Sequence, residues 1–277
     1  MTRKGKMKNN KYLILRRIVQ LSILFLFMSS SYLGLKILMG NYSSAYVLES
    51  FHLADPYAVL QILSTGFLPA LELLIGAGVV AIFYAILGGR LFCSWVCPLN
   101  MVTDAASYLR KRFKIKPFVK KTDSEKFRNI RYYVLALGLF LSMIFGHAAF
   151  EIINPISMLH RTLIFGFGFS INMVLIVFLA DLFVMPHLWC GYICPVGGFY
   201  SIIGKFSILK VQHTSENCTL CMKCKQVCPE VQVLGIIGKE TGKIKSSECT
   251  DCGRCIDVCN DNALHFTVFN QNNKNIK

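Results

Sequence analysis

Charge is what this sequence has least of. Only 16% of its 277 residues are Asp, Glu, Lys or Arg, against about 25% in a typical soluble domain, so much of the chain is not built to face water. Acids are scarcer still: 15 Asp and Glu stand against 30 Lys and Arg, for a net charge of +15. Such an excess raises nucleic acid as a partner. The basic residues, however, stand almost entirely between long apolar runs, and that pattern excludes nucleic acid in favour of a membrane. Most of the chain also lacks cysteine. All twelve fall in four tight clusters, unlike the scattered spacing of a secreted disulfide framework. Metal ligation and thiol chemistry in a reducing compartment are left.

Four apolar segments, 18–35, 67–89, 132–150 and 163–185, have the length of a membrane-crossing helix, about 20 residues. A fifth, 58–67, is too short and is expected against the outer interface. Residues 1–17 carry seven basic side chains (Arg3, Lys4, Lys6, Lys8, Lys11, Arg16, Arg17), and 37–66 carry none. The stretch 90–131 carries eleven, Lys120 and Lys121 among them, and only Arg161 lies between the third and fourth segments. Basic residues collect on the inner side. The pattern therefore predicts a bacterial inner-membrane protein of four spans with both termini cytoplasmic. The first span resembles a signal peptide's apolar region, but no small-x-small cleavage site follows Ser29-Ser30-Ser31, so it is expected to remain as an anchor.

The second and fourth spans run into the same signature. Cys93-Ser94-Trp95-Val96-Cys97-Pro98 and Cys190-Gly191-Tyr192-Ile193-Cys194-Pro195 lie 97 residues apart. Each is followed by an amphipathic stretch, 101–113 and 198–209, suited to a helix in the inner interface. Pro98 and Pro195 fit the first turn of such helices, where a missing N–H costs nothing. The expected architecture is α-helical: two repeated hairpins that bring Cys93, Cys97, Cys190 and Cys194 together at the inner face. These four are candidates for a redox or ligand role. C-x-x-x-C on one helical turn would put both sulfurs on one face, and the neighbouring helix N-terminus would lower the thiol pKa. Four converging thiolates would repel unless a metal or cluster neutralised them.

Beyond residue 210 the apolar runs stop, which divides the chain into a membrane domain (1–210) and a small α+β ferredoxin-like domain (211–277). The latter carries Cys218-x2-Cys221-x2-Cys224-x3-Cys228-Pro229 and Cys249-x2-Cys252-x2-Cys255-x3-Cys259-Asn260. This is the spacing of bacterial two-cluster ferredoxins, in which the fourth cysteine of each run ligates the other cluster. Cys218, Cys221, Cys224 and Cys259 are thus assigned to one [4Fe–4S] cluster, and Cys249, Cys252, Cys255 and Cys228 to a second. Zinc also uses C-x2-C pairs, but it does not call for two duplicated runs of four. Residues 231–237 and 243–245 read as a hairpin and 263–268 as a closing strand. Lys223, Lys225 and Arg254, inside the runs, read either as positive charge that raises a cluster's reduction potential or as ordinary solvated side chains.

The paired C-x-x-x-C-P hairpins and two-cluster tail closely resemble the NapH family, membrane-bound ferredoxin-type subunits of the periplasmic nitrate reductase system. Larger relatives sharing the motifs serve nitrous oxide reduction and cytochrome oxidase assembly. The resemblance implies a quinol dehydrogenase subunit that draws electrons from membrane quinol. It would pass them, with a periplasmic iron–sulfur partner of the NapG type, to a nitrate reductase complex. Intramembrane ionisable groups are the candidates for a quinol site. His147, Glu151 and His160 gather at the outer ends of the third and fourth spans, while Glu72 is expected to pair with Lys36. Asp181 and Arg90 read as structural. Two other functions fit the motifs: a maturation factor that reduces a metal or thiol on a client protein, and a cluster-based redox sensor. Topology sets a difficulty, because cytoplasmic clusters face a periplasmic acceptor across about 30 Å of hydrocarbon.

Overall fold

The computed structural model describes residues 10–34, 36–119, 127–166 and 168–268. Arg3, Lys4, Lys6, Lys8, Lys120 and Lys121, and both chain ends to which the charge pattern assigns a side, lie outside the described residues.

Helix α1 (Lys11–Leu33) ends at Gly34, whose left-handed conformation (φ +66°) sends its N–H back to the Ser29 carbonyl. This is the usual glycine stop. Three short antiparallel strands follow, β1 (Leu38–Gly40), β2 (Ser44–Val47) and β3 (Phe51–Ala54), paired in that order. The chain turns at Asp55 and returns as α2 (Pro56–Ser64), with Pro56 in its first turn. Helix α3 (Leu71–Leu87) then packs along β3. A Cβ at Gly76 would collide with the His52 carbonyl, so only glycine admits the strand there.

Within 58–67 one face turns into the helical bundle, while Leu60, Leu63 and Phe67 stay exposed. Tyr57, Ala58, Val59 and Gln61 are buried. The Tyr57 hydroxyl donates to the Leu135 carbonyl (3.3 Å), and the Gln61 side-chain oxygen accepts from the Phe150 amide (3.0 Å). A polar side chain of this largely apolar helix is thus anchored through its oxygen inside the bundle, which the composition of 58–67 alone could not reveal.

Next come α4 (Leu91–Trp95) and α5 (Leu99–Phe113), then α6 (Ile130–Phe145), α7 (Ala149–Ile153), α8 (Pro155–Phe165) and α9 (Ser170–Phe183). The start of α8 mirrors that of α2: Asn154 stands where Asp55 does, Pro155 where Pro56 does, and the Asn154 side chain accepts the Ile156 amide (3.1 Å). Among the described residues, α1 is the one helix long and apolar enough to cross a membrane. Helices α3, α6 and α9 have 17, 16 and 14 residues. Each falls short of its apolar run for a local reason. Pro69 precedes α3, the left-handed Gly146 ends α6, and residues 163–165 of the fourth run belong to α8.

A π-helical turn (Trp189–Ile193) leads to α10 (Pro195–Ile203). At its end, Gly204 meets Gly89 backbone to backbone, where a Cβ on either would clash. The tail holds β4 (Lys210–His213), α11 (Lys223–Val227), β5 (Gly242–Lys243), α12 (Arg254–Asp257) and β6 (Leu264–Thr267). Strand β4 is central, flanked by β5 and β6. The 231–237 stretch is not a strand. Val231–Leu234 forms a tight 3-10 turn whose Val233 and Leu234 fill the tail core, so β5 pairs with β4 instead.

The tail is seated on the helices. Ser94 Oγ donates to the Thr250 carbonyl (2.6 Å) and Trp95 Nε1 to the Asp251 carbonyl (3.1 Å). Asp257 caps α1, accepting the Tyr12 and Leu13 amides (3.2 and 3.1 Å). One core packs Tyr57, Phe92, Leu99, Phe150, Val177 and Tyr200 around Cys97 and Cys194; a second packs Val211, Leu234, Ile244 and Leu264 around the tail cysteines.

Candidate functional site

The two tail sets form crosswise, as the spacing predicts. One small space is lined by Cys218, Cys221, Cys224 and Cys259, with Ile237 and Leu264 behind them. A second is lined by Cys228, Cys249, Cys252 and Cys255, with Val211, Val233 and Leu234. Backbone in the left-handed region at Leu220, Met222, Asp251 and Gly253 curls each run around its space. Four converging thiols with apolar backing fit a [4Fe–4S] cubane in each. The cysteines of each set would be its ligands.

The hairpin cysteines also meet, although not as one helical turn each. Cys93 lies in α4 while Cys97 lies beyond it, at the entrance to α5; Cys190 lies in the π turn and Cys194 immediately precedes α10. The expected single turn breaks because Pro98 and Pro195 each start a new helix. Cys97 accepts the Leu99 and Asn100 amides, and Cys194 the Val196 and Gly197 amides. These hydrogen bonds lower the thiols, as helix N-termini were expected to, but they are outweighed. Burial dominates and pushes all four up, Cys194 to about 12, with neighbouring cysteines adding to the rise at Cys97, Cys190 and Cys194. Four such thiols in one buried place require a cation or a cluster to ionise together.

The surroundings supply positive charge. Cys93 and Cys190 line a small space together with Arg16, Arg90, Arg254, His187 and Glu230, and with Cys252 of the second tail set. Arg90 is 1% exposed. It donates to Glu230 (2.7 Å), to the Glu248 carbonyl (3.0 Å), to the Cys190 carbonyl (2.9 Å) and to the Cys93 thiol. Arg16 Nε and Nη2, Arg90 Nε and Arg254 Nε are buried without a hydrogen-bond partner among the described residues. One carboxylate, Asp104, is shared by Arg16, Arg17 and Arg254. Buried cations in excess of anions call for a further negative group, and an iron–sulfur cluster on four thiolates is one. The donor set therefore fits a cluster held by Cys93, Cys97, Cys190 and Cys194.

Arg90 is buried and ion-paired, as a structural residue would be, and it also lines the site; Arg254 is not freely solvated but pairs with Asp104 and forms a wall of the same space. A signal was present in the chain. Arg90 stands three residues before Cys93, and His187 three before Cys190.

The quinol-site candidates divide. Glu151 accepts from Ser43 (2.7 Å), Ser157 (3.0 Å) and Asn154 (2.9 Å). His160, one turn beyond Ser157, is 4% exposed, and burial holds it below the usual histidine range. Glu151 of α7 is thus tied to Ser157 of α8, the helix that carries His160. His147 and Glu72 do not join them; both are exposed, and Lys36 pairs with Glu49 (2.5 Å) rather than with Glu72. The β-hairpin sets that pairing, because its tight turn brings Glu49 back to Lys36. Sequence reasoning missed Asp55, which Tyr200 contacts (3.3 Å) and which burial, reinforced by Glu151, pushes up to about 7.

Comparison with known proteins bears on these sites directly. A 4Fe-4S binding domain matches residues 69–116 and again 165–211, each copy spanning one hairpin motif, and a 4Fe-4S dicluster domain matches 210–260. The chain is 40% identical to the ferredoxin-type protein NapH of Escherichia coli over 96% of its own length and 92% of the relative's. It is 41% identical to NapH of Haemophilus influenzae, over 94% and 90%. It is also 41% identical to the methylamine utilization ferredoxin-type protein MauN of Methylorubrum extorquens, over 96% and 92%. No solved structure matches.

Proposed function

Because the chain belongs to the NapH family of ferredoxin-type electron-transfer proteins, we propose that it links quinol oxidation in the bacterial inner membrane to a periplasmic reductase, in the first place nitrate reductase. Its helices α1, α3, α6 and α9 would be the four spans, arranged as two repeated hairpins with both termini cytoplasmic. A periplasmic iron–sulfur subunit of the NapG type would be the partner. The tail cysteines hold two [4Fe–4S] clusters, and Cys93, Cys97, Cys190 and Cys194 hold a third. When bound, these clusters supply one-electron storage at three neighbouring positions.

One observation carries this reading: the three cysteine sets stand in series. The hairpin space and the second tail space share Glu230, Thr250, Cys252 and Arg254 as walls, and Cys255 of the second set adjoins Cys224 of the first. Such an order suits conduction between the membrane and the tail. It also bears on the topological difficulty, because the hairpin site lies on the membrane side of the tail. Glu151 and His160 are the proposed proton-accepting residues of the quinol site, with His147 and Glu72 at its outer margin.

Iron and acid-labile sulfide in the purified protein test the proposal. Three cubanes require about twelve of each per chain, and the tail alone about eight. The expected value is about twelve. A value of about eight, with hairpin thiols open to alkylation, would leave the maturation reading, in which those thiols reduce a client's metal or disulfide, as the better one.

A further inference from the structure

Two polar atoms in the helical core stand without a hydrogen-bond partner among the described residues, side by side. They are Tyr42 Oη and His160 Nε2. The Tyr42 and His160 rings meet edge to face at 5.7 Å, and the Phe27 ring from α1 closes on both at 5.0 Å. Leaving such groups unpaired costs about 1–3 kcal/mol each, so two in one aromatic box call for a ligand with matching donors and acceptors.

The surroundings narrow its chemistry. The box is uncharged and aromatic, which suits a flat, neutral ring bearing oxygens rather than a phosphate or a carboxylate. Tyr42 packs on the core that contains Cys97 and Cys194. Gln20 of α1 donates to the Cys97 carbonyl (3.3 Å), and Phe27 lies seven residues further along the same helix. At 1.5 Å per residue, the box is about 10 Å beyond the hairpin cysteines, toward the C-terminal end of α1. Ser43, next to Tyr42, donates to Glu151, which Ser157 also holds, one helical turn from His160.

We propose that Tyr42 and His160 hold the headgroup of a membrane quinol, an inference that rests on the quinol reading above and assigns a residue, Tyr42, to it. The Tyr42 hydroxyl donates to one quinol oxygen, and His160 Nε2 accepts the hydroxyl proton of the other. Oxidation of one quinol to quinone breaks two O–H bonds and releases two protons and two electrons. The first proton goes to His160 Nε2 and on to Glu151, and the second goes to water. The electrons leave singly to an iron–sulfur acceptor.

The test uses the full chain in lipid nanodiscs with an azidoquinone probe, cross-linked by light and mapped by mass spectrometry. Adducts are expected on peptides that contain Phe27, Tyr42 and His160. Tyr42→Phe and His160→Gln should each weaken binding of an unreactive quinone analogue by tenfold or more, with iron and sulfide content unchanged. Wild-type binding that both variants retain would overturn the Tyr42–His160 site while leaving the quinol reading intact. So would adducts confined to the open cleft lined by Met101, Tyr108 and Val258. Failure of the wild-type protein to bind any quinone would overturn the quinol reading itself. Adduct mapping needs no variant, so a variant that failed to fold would not protect the proposal.

Discussion

At the scale of single residues, spacing and environment carry different information. The grouping of the eight tail cysteines into two crosswise sets was legible from spacing, because the crossover of the fourth cysteine is a property of the motif. The hairpin cysteines were legible as a set but not in their electrostatics. Helix N-termini do face Cys97 and Cys194, yet burial outweighs them, and burial cannot be counted from neighbours in sequence. Arg90 was hidden for the same reason, since its partners Glu230 and Glu248 are more than a hundred residues away. Replacing both Cys97 and Cys194 by serine is expected to remove about four irons per chain and leave the tail's eight. Iron analysis together with EPR of the reduced tail checks this. Full iron content in the double variant would show that these thiols only pack.

At the scale of elements, α5 is the hinge between the helices and the tail. It was predicted as an amphipathic interfacial helix, and its basic last turn (Arg110, Lys111, Arg112) fits that reading. Its Asp104, however, points at Arg16 and Arg17 of α1 and at Arg254 of α12. Burial alone would raise the Asp104 carboxyl, but Arg254, His187 and Arg17 outweigh it and hold it below the ordinary range. A depressed folded-state value means that the ion pair stabilises fully above about pH 4, the unfolded value, and is lost as pH falls through the folded one. Asp104→Asn should therefore lower the melting temperature at pH 7. The expected loss is about 3 kcal/mol or more, because three arginines are left short of their anion. The gap between variant and wild type should close in acid. A constant gap from pH 7 to the acid limit would contradict the assigned pair. Helices α2 and α8 were illegible as inward-packed elements, because an apolar run of about ten residues reads alike in a bilayer interface and in a helix bundle.

At the scale of the whole molecule, composition announced a membrane and the cysteine runs announced a ferredoxin, but neither said that the two parts share a wall. Reporter fusions at residue 10 and after residue 268 should both report the cytoplasm, while one in the β1–β2 turn should report the outside. A C-terminal fusion active outside would reverse the orientation inferred from the Lys and Arg counts. The shared wall also bears on biogenesis. Arg90 and Arg131 are almost wholly buried, and their carboxylate partners Glu230 and Glu248 both belong to the tail. Until the ribosome has delivered the last third of the chain, Arg90, just before α4, and Arg131 of α6 lack these carboxylate partners. If the tail holds clusters as proposed, its loops would take their shape only with iron and sulfide. Cluster supply would then act as a checkpoint on the membrane part: in iron-starved cells, or in a chain stopped after residue 209, pulse-labelled protein should reach the membrane and then be cleared faster than the intact, iron-loaded form.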